Sequence, residues 1–419
     1  MGSISIALIA FIQGIIVTRN LGPSQYGLLG VIMTYCGIIK TILSYRTSEP
    51  LTHYMIQFKL NNKKSSLEIL IKTSIIVDFI TNLVAFTIII IAAPIAAKYI
   101  SGGKESIHIY LIYGATVIFT FLDATWYSVA RDLKFFKLLS ILPAIFTLLK
   151  FLIVTFLFYI ECLSLFWLVV IYLITRFGLF ISIAFLLIWN LKKNYQISIF
   201  TMNWNQCFKL NKELSGFWKF MNISYLSSII TPIIRQADIL ILGYYKTDSE
   251  VGIYRLAKNL VSIIQAFSGS LTSVIYQDIN EIVISNKYSQ LKKDICNMSK
   301  IWIPTIFVGF ILAVISANFL INLIYGSEFV NAAIPFLFLL AGVSVAMSLF
   351  WTQPILLALK KFKEYLIINV TVGILFILST LIFVPIYGCN ASAILLGLSW
   401  ALGAIYMLII ILKEMGQKE

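Results

Sequence analysis

Eight cations and three acids interrupt stretches of sequence that are otherwise apolar. The cations are Lys40, Lys72, Lys150, Arg176, Lys219, Arg235, Arg255 and Lys258. The acids are Asp78, Asp123 and Asp238. A charge at the centre of a bilayer costs roughly 2.5–3.5 kcal/mol on insertion scales. Residues kept there at that cost are the first candidates for chemistry, and the chemistry open to them is electrostatic capture of an anion. Lys150 and Arg176 lie about nine and eleven residues into the two apolar stretches that flank a short turn near Glu161. At about 1.5 Å per residue both sit roughly 15 Å deep, near the midplane of a ~30 Å hydrocarbon core. Two cations at one depth on adjacent helices repel each other unless an anion or water lies between them. The pair therefore marks a cavity of positive potential suited to an anionic head group. Arginine also offers phosphate a bidentate fork.

Arg235 and Asp238 are three residues apart, hence on one face of a helix. Arg255 and Lys258 repeat that spacing across the short Lys246–Glu250 turn. Arg235, Arg255 and Lys258 thus join Lys150 and Arg176 as candidate substrate-binding residues. Asp78, Asp123 and Asp238 are candidates for ion coupling or charge pairing. Asp78 and Asp123 are placed to offset Lys72 and Lys40, and Asp238 to pair with Arg235. Lys40, Lys72 and Lys219, near the ends of their spans, read as snorkelling lysines. Bond-making chemistry has little support. There is no GxxxxGK[ST] phosphate loop and no HExxH motif. The two histidines and five widely spaced cysteines suggest no metal site. The expectation is a protein that is not an enzyme and needs no cofactor.

The elements that must hold these charges are membrane helices. Of the 419 residues, 60% are hydrophobic and only 12% charged. An ordinary soluble domain is about a quarter charged. A ruler of about 20 apolar residues finds twelve spans. They include 138–159 and 165–189, which carry Lys150 and Arg176, and 218–243 and 251–275, which carry the second set. The net charge of +14 would suggest nucleic acid in a soluble protein. With both termini on the cytoplasmic side, however, twenty of the lysines and arginines fall in inner segments and four in outer ones. Such a bias sets orientation, so no nucleic-acid partner is expected.

A weak internal repeat runs through the chain. Gly27-Leu28-Leu29 is matched by Gly252-Ile253-Tyr254, and Leu133-Lys134-Phe135-Phe136-Lys137 by Leu359-Lys360-Lys361-Phe362-Lys363. Tyr99-Ile100-Ser101 is matched by Tyr325-Gly326-Ser327, all at an offset of 225 or 226. Six spans per copy leave both copies in one orientation, as in transporters built from parallel repeats, with substrate expected between the lobes. The fold class is an all-α integral membrane protein of about twelve transmembrane helices in two parallel six-helix lobes. The lobes are 1–197 and 218–419, joined by a cytoplasmic linker at 198–217.

The segment Arg19-Asn20-Leu21-Gly22-Pro23-Ser24-Gln25-Tyr26-Gly27 resembles the first-loop signature of bacterial polysaccharide flippases. Gln236-Ala237-Asp238-Ile239-Leu240-Ile241-Leu242-Gly243 with Val251-Gly252-Ile253-Tyr254 resembles its second-lobe counterpart. These are the Wzx-type O-antigen and repeat-unit exporters of the multidrug/oligosaccharidyl-lipid/polysaccharide (MOP) superfamily, whose fold is MATE-like. The resemblance implies movement of a lipid-linked oligosaccharide, carried on undecaprenyl pyrophosphate, from the inner to the outer leaflet of the bacterial cytoplasmic membrane. It implies alternating access coupled to an ion gradient or membrane potential, and partners in a polysaccharide polymerase and a chain-length regulator. The intramembrane cations would then meet the pyrophosphate or acidic sugars. Relatives have a longer first helix preceded by basic residues, and this chain departs from them there.

Two other readings compete. A drug or organic-cation antiporter of the same superfamily should concentrate carboxylates in its cavity, and here cations outnumber acids. A membrane-embedded polysaccharide polymerase or glycosyltransferase should carry a sizeable loop with paired acids. The outer loops here are short, with single acids such as Glu161 and Glu328.

Overall fold

The computed structural model describes residues 2–45, 47–101, 106–197, 215–285 and 287–416. These are helical almost throughout, with no strand among them. In chain order the helices are α1 (Gly2–Leu43), α2 (Ser48–Leu60), α3 (Lys64–Tyr99), α4 (Ile107–Ile118), α5 (Asp123–Asp132), α6 (Phe136–Tyr159) and α7 (Leu165–Asn190). They continue as α8 (Ser215–Tyr245), α9 (Asp248–Ile284), α10 (Tyr288–Tyr325), α11 (Ala333–Ser348), α12 (Thr352–Ala358) and α13 (Phe362–Gly416). Residues 198–214, most of the expected linker, lie outside the described residues.

Among the described residues, eight stretches are long and apolar enough to cross a membrane. Two of them run for 53 residues, far beyond the ~20 that one crossing needs, and each is broken by a glycine. Gly22 has φ 66 and Gly388 φ 62, left-handed values that only glycine adopts without steric cost. Pro23 follows the first break, where a missing N–H costs nothing at the start of a new helix. Glu250 Oε2 accepts the Cys389 N–H at 3.3 Å beyond the second. Divided at these breaks, the eight stretches become ten. α8 (31 residues) and α9 (37 residues) are also long enough to cross, in keeping with the twelve spans expected from the sequence. The protein is a multi-pass membrane protein.

The helices group into two compact units. One comprises Met1–Leu21 and Ile32–Ile233, the other Gly22–Val31 and Ile234–Glu419. The first turns of α1 beyond its kink therefore pack with the second set. The core of the first unit gathers Leu51, Met55, Trp126, Val129 and Leu187. That of the second gathers Ile279, Leu291, Trp351, Ile355 and Ile411. Trp126 and Trp351 look like lipid-interface anchors in the sequence, yet both are buried in these cores. Trp126 lies on the short helix α5 and Trp351 just before the short helix α12.

The repeat has a structural signature. Lys134 and Lys360 both adopt positive φ, 59° and 61°. In each turn the following N–H reaches back five residues, Phe135 to the Ala130 carbonyl at 2.7 Å and Lys361 to the Leu356 carbonyl at 3.0 Å. These are matching left-handed helix terminations of the Schellman kind, 226 positions apart. Neither position carries the usual glycine, so the turn is held by its two back-reaching hydrogen bonds.

Candidate functional site

In the first unit a polar seam runs between α3, α4, α5 and α7. Asp78 on α3 is 4% exposed and accepts the Thr47 hydroxyl at 2.8 and 3.0 Å. One turn on, Asn82 Nδ2 donates to the Asp78 carbonyl at 2.7 Å, and its Oδ1 accepts the Thr120 hydroxyl at 2.8 Å. Asp123 opens α5 three residues later, and its Oδ2 accepts from Arg176 Nη2 at 2.5 Å. Lys40 on α1 lies within electrostatic reach of Asp123, Arg176 and Asp78. Two cations and two acids thus share one seam, which limits the cost of holding charge among apolar helices.

Ser164 starts α7 by accepting the Trp167 N–H at 3.4 Å, and Arg176 follows about three turns later. Its side chain is 20% exposed. Asp123 engages one end of the guanidinium, while Nε is buried with no acceptor among the described residues. A buried N–H left without a partner costs about 1–3 kcal/mol. The group is therefore oriented by one carboxylate and keeps donor capacity for another oxygen. Lys150 comes close on the same helix pair. Its Nζ stands 4.9 Å from the centre of the Tyr172 ring, one turn before Arg176. No carboxylate lies within ion-pair distance of Lys150 among the described residues. A cation over an aromatic face is held more weakly than one in an ion pair.

The second unit holds a more tightly closed cluster. Asp238 on α8 is fully buried. Its carboxylate accepts from Lys258 Nζ at 2.7 and 2.8 Å, from its neighbour's Ile239 N–H at 2.9 Å, and from the Tyr254 hydroxyl. Thr247 caps α9 by accepting the Glu250 N–H at 3.4 Å, and the helix period then sends Tyr254 and Lys258 to one face, toward Asp238. Arg255 turns to a different partner. Its Nη1 donates to the Tyr26 carbonyl at 2.9 Å, and its guanidinium carbon stands 4.6 Å from the centre of the Tyr26 ring. Asn259 Nδ2 donates to the Tyr26 hydroxyl at 2.8 Å. The side chain of Arg235 lies outside the described residues.

One expected pairing differs, and that of Arg235 with Asp238 lies outside the described residues. Lys72 is taken by Glu68, four residues before it on α3, at 2.5 Å, because that residue is the nearest neighbour along its own helix face. Asp123 pairs with Arg176 and stays within electrostatic reach of Lys40. Asp238 is neutralised by Lys258 from the next helix, with Tyr254 completing its shell. Thr47 and Tyr172 escaped the sequence reading, since uncharged polar side chains are common in membrane spans; Tyr26 and Tyr254 stood in the quoted motifs, but their contacts with Arg255 and Asp238 were not foreseen.

Comparison with known proteins now bears on this arrangement. A sequence model of the family described as "Polysaccharide biosynthesis protein" matches residues 1–276. A probable low-salt glycan biosynthesis flippase of Haloferax volcanii is 25% identical over 137 residues, which is 33% of this chain and 29% of that protein. The match thus spans less than a third of that relative's length. Among solved structures, the lipid II flippase MurJ in an inward closed conformation superposes with TM-score 0.72 at 15% identity, covering 99% of this chain and 90% of that one. An inward-facing multidrug resistance MATE transporter of the MOP superfamily superposes with TM-score 0.75 at 13% identity, covering 99% and 95%. A MOP superfamily transporter from Pyrococcus furiosus, whose reversed pocket polarity suggests a different function for it, gives 0.62 at 11% identity over 100% and 93%. The fold is that of the MOP transporters.

Proposed function

Because the chain belongs to the polysaccharide biosynthesis protein family, we propose that it is a flippase for lipid-linked oligosaccharides. The substrate is a repeat unit on undecaprenyl pyrophosphate, moved from the inner to the outer leaflet of a bacterial cytoplasmic membrane for O-antigen or another surface polysaccharide. Both termini face the cytoplasm. A polysaccharide polymerase and a chain-length regulator act next to it. Transport proceeds by alternating access, and the lipid tail stays in the bilayer.

The observation that carries the reading is Arg176. It is fixed by Asp123 through one nitrogen, partly exposed, and keeps a buried N–H with no acceptor among the described residues. A phosphate oxygen would meet that unmade donor, and Lys150 on α6, over the ring of Tyr172 one turn before Arg176, adds a second positive charge. In the second unit Arg255 and Lys258 add further positive charge. Asp238 pairs with Lys258, and Arg235 belongs to the proposed set by its sequence position. Asp78, Asp123 and Asp238 hold the cations in place or titrate during transport.

Anion capture argues against the organic-cation antiporter, whose cargo the excess of cations would repel. Deleting the gene in its native host tests the reading. The proposal expects an undecaprenyl-pyrophosphate-linked oligosaccharide to accumulate on the inner leaflet. Normal polysaccharide output with altered sensitivity to cationic drugs would support the antiporter instead.

A further inference from the structure

We propose that the turn between α5 and α6 binds one anionic phospholipid of the surrounding bilayer. Three exposed cations stand there at intervals of three residues, Arg131, Lys134 and Lys137. Lys134 and Lys137 have no ion-pair partner among the described residues. Arg131 lies against an aromatic ring, its guanidinium carbon 5.2 Å from the centre of Tyr127. Asp132, the acid within the turn, is taken by Lys59 at 2.9 Å and by the Tyr195 hydroxyl. The turn therefore presents positive charge that no carboxylate of its own answers.

The helix that begins here supplies an independent observation. Of the described residues of α6, only Val154 is buried. Ile141, Ile145, Leu148, Leu152 and Phe156 recur at steps of three or four, and all are exposed. Phe136, 57% exposed, stands at the start of this apolar face, between the two lysines. From Phe136 to Phe156 the face runs roughly 30 Å at about 1.5 Å per residue, the thickness of the hydrocarbon core. A head-group site thus stands at one end of a surface that acyl chains would cover. No side chain caps the start of α6, and Lys137 sits in its first turn, where the helix dipole disfavours a cation. A phosphate there accepts from the uncapped N–H groups and offsets both lysines.

Charge chooses the occupant. A zwitterionic phospholipid brings its own cation beside the phosphate and leaves the excess of the turn unmet, whereas an anionic one answers it. A second copy of the chain is disfavoured, because a two-fold contact through this face sets the same three cations against each other. The related turn in the other copy of the repeat is a built-in comparison. Its Lys361 is held by Glu414 at 2.7 Å and approaches Glu364 at 3.7 Å, so the chain itself answers part of that charge. The inference needs the membrane setting and not the flippase reading.

Native mass spectrometry tests the site on the full chain in detergent, titrated with dioleoyl phosphatidylglycerol or dioleoyl phosphatidylcholine. One phosphatidylglycerol is expected to bind at least about tenfold more tightly than phosphatidylcholine. Lys134→Gly/Lys137→Gln should weaken that binding about tenfold. Lys134 has positive φ, which glycine adopts readily, and both side chains are exposed, so the fold is not at stake. Lys360→Gly/Lys363→Gln should leave the tight site in place. Equal binding of the two lipids overturns the proposal, as does undiminished phosphatidylglycerol binding in Lys134→Gly/Lys137→Gln. Stoichiometric displacement of phosphatidylglycerol by undecaprenyl pyrophosphate, or a dimer in place of the lipid adduct, overturns it too, by giving the face to the substrate or to a second copy.

Discussion

Gly27 and Gly252 occupy equivalent places in the two copies of the repeat, and they lie against each other. A Cβ on Gly27 would fall 1.8 Å from the Asp248 carbonyl oxygen and 2.7 Å from the Gly252 nitrogen. One on Gly252 would fall 2.0 Å from the Pro23 carbonyl oxygen. Small residues allow this approach, as at other close crossings of membrane helices. The nearest atoms are backbone, so nothing can swing aside. Gly27→Val and Gly252→Val should each destabilise the protein by about 1–3 kcal/mol, the usual scale of overpacking. Gly14 has nothing within 4 Å of a built Cβ. Gly14→Ala should leave the midpoint of thermal unfolding in nanodiscs unchanged or raised. Equal effects at Gly14 and Gly27 would contradict the packing.

Asp238 and Lys258 form the best-sealed ion pair among the described residues. Lys258→Met leaves a carboxylate buried with its principal counter-charge gone. Breaking a buried pair from one side costs about 3–5 kcal/mol. Asp238→Asn in the same chain should restore much of that loss, because an amide tolerates the site without a counter-ion. Thermal unfolding of the two single variants and the double variant checks this. Additive losses would mean that the two side chains do not act as a pair.

Arg176 and Lys150 should separate in their effects. Arg176→Gln removes both the Asp123 contact and the spare donor, and is expected to lower transport at least about tenfold at equal expression, the scale of a lost charge-assisted hydrogen bond. Arg176→Lys keeps the charge and loses the fork, so partial activity is expected. Lys150→Gln should fall between wild type and Arg176→Gln, since among the described residues Lys150 is held by the Tyr172 ring and by no carboxylate. Wild-type transport in both glutamine variants would remove these residues from the substrate path.

Lys361, in the turn before α13, donates to Glu414 at 2.7 Å and also approaches Glu364. The Glu414 hydrogen bond leads the causes that raise its pKa above 10.5. A lysine raised in the folded state adds stability that is fully present below its unfolded pKa. That contribution is lost as pH rises through the folded value. The stability difference between wild type and Lys361→Met should be constant from neutral pH to about pH 10 and fall above it. Added salt should shrink it, because the group is exposed and screened. A difference that grows with alkalinity would contradict the pairing.

Much of the fold could be read from the sequence because membrane helices announce themselves by length and apolarity. The repeat was legible at Lys134 and Lys360, where the same turn is written twice in similar residues. The candidate charges were legible too, since a lysine or arginine in an apolar span stands out. Their partners were not. Asp123 is distant in sequence from Arg176, and Lys258 reaches Asp238 from the next helix, so the pairing depends on which faces meet. The seal of Asp238 by Tyr254, and the stacking of Lys150 on Tyr172, depend on ring positions that no spacing rule specifies. The kink at Gly388 was legible as well, because Pro385, Gly388 and Asn390 interrupt the apolar run and part it into spans 366–385 and 391–412.

The central claim is that this protein moves a lipid-linked oligosaccharide across a bilayer. It is tested most directly by reconstituting the purified chain in proteoliposomes. Fluorescently labelled undecaprenyl-pyrophosphate oligosaccharide is placed in the inner leaflet, and its arrival in the outer leaflet is followed by accessibility to a membrane-impermeant quencher. The account predicts translocation faster than in protein-free vesicles and strongly reduced in Arg176→Gln. Translocation no faster than in protein-free vesicles, with a substrate drawn from the native host, would contradict it.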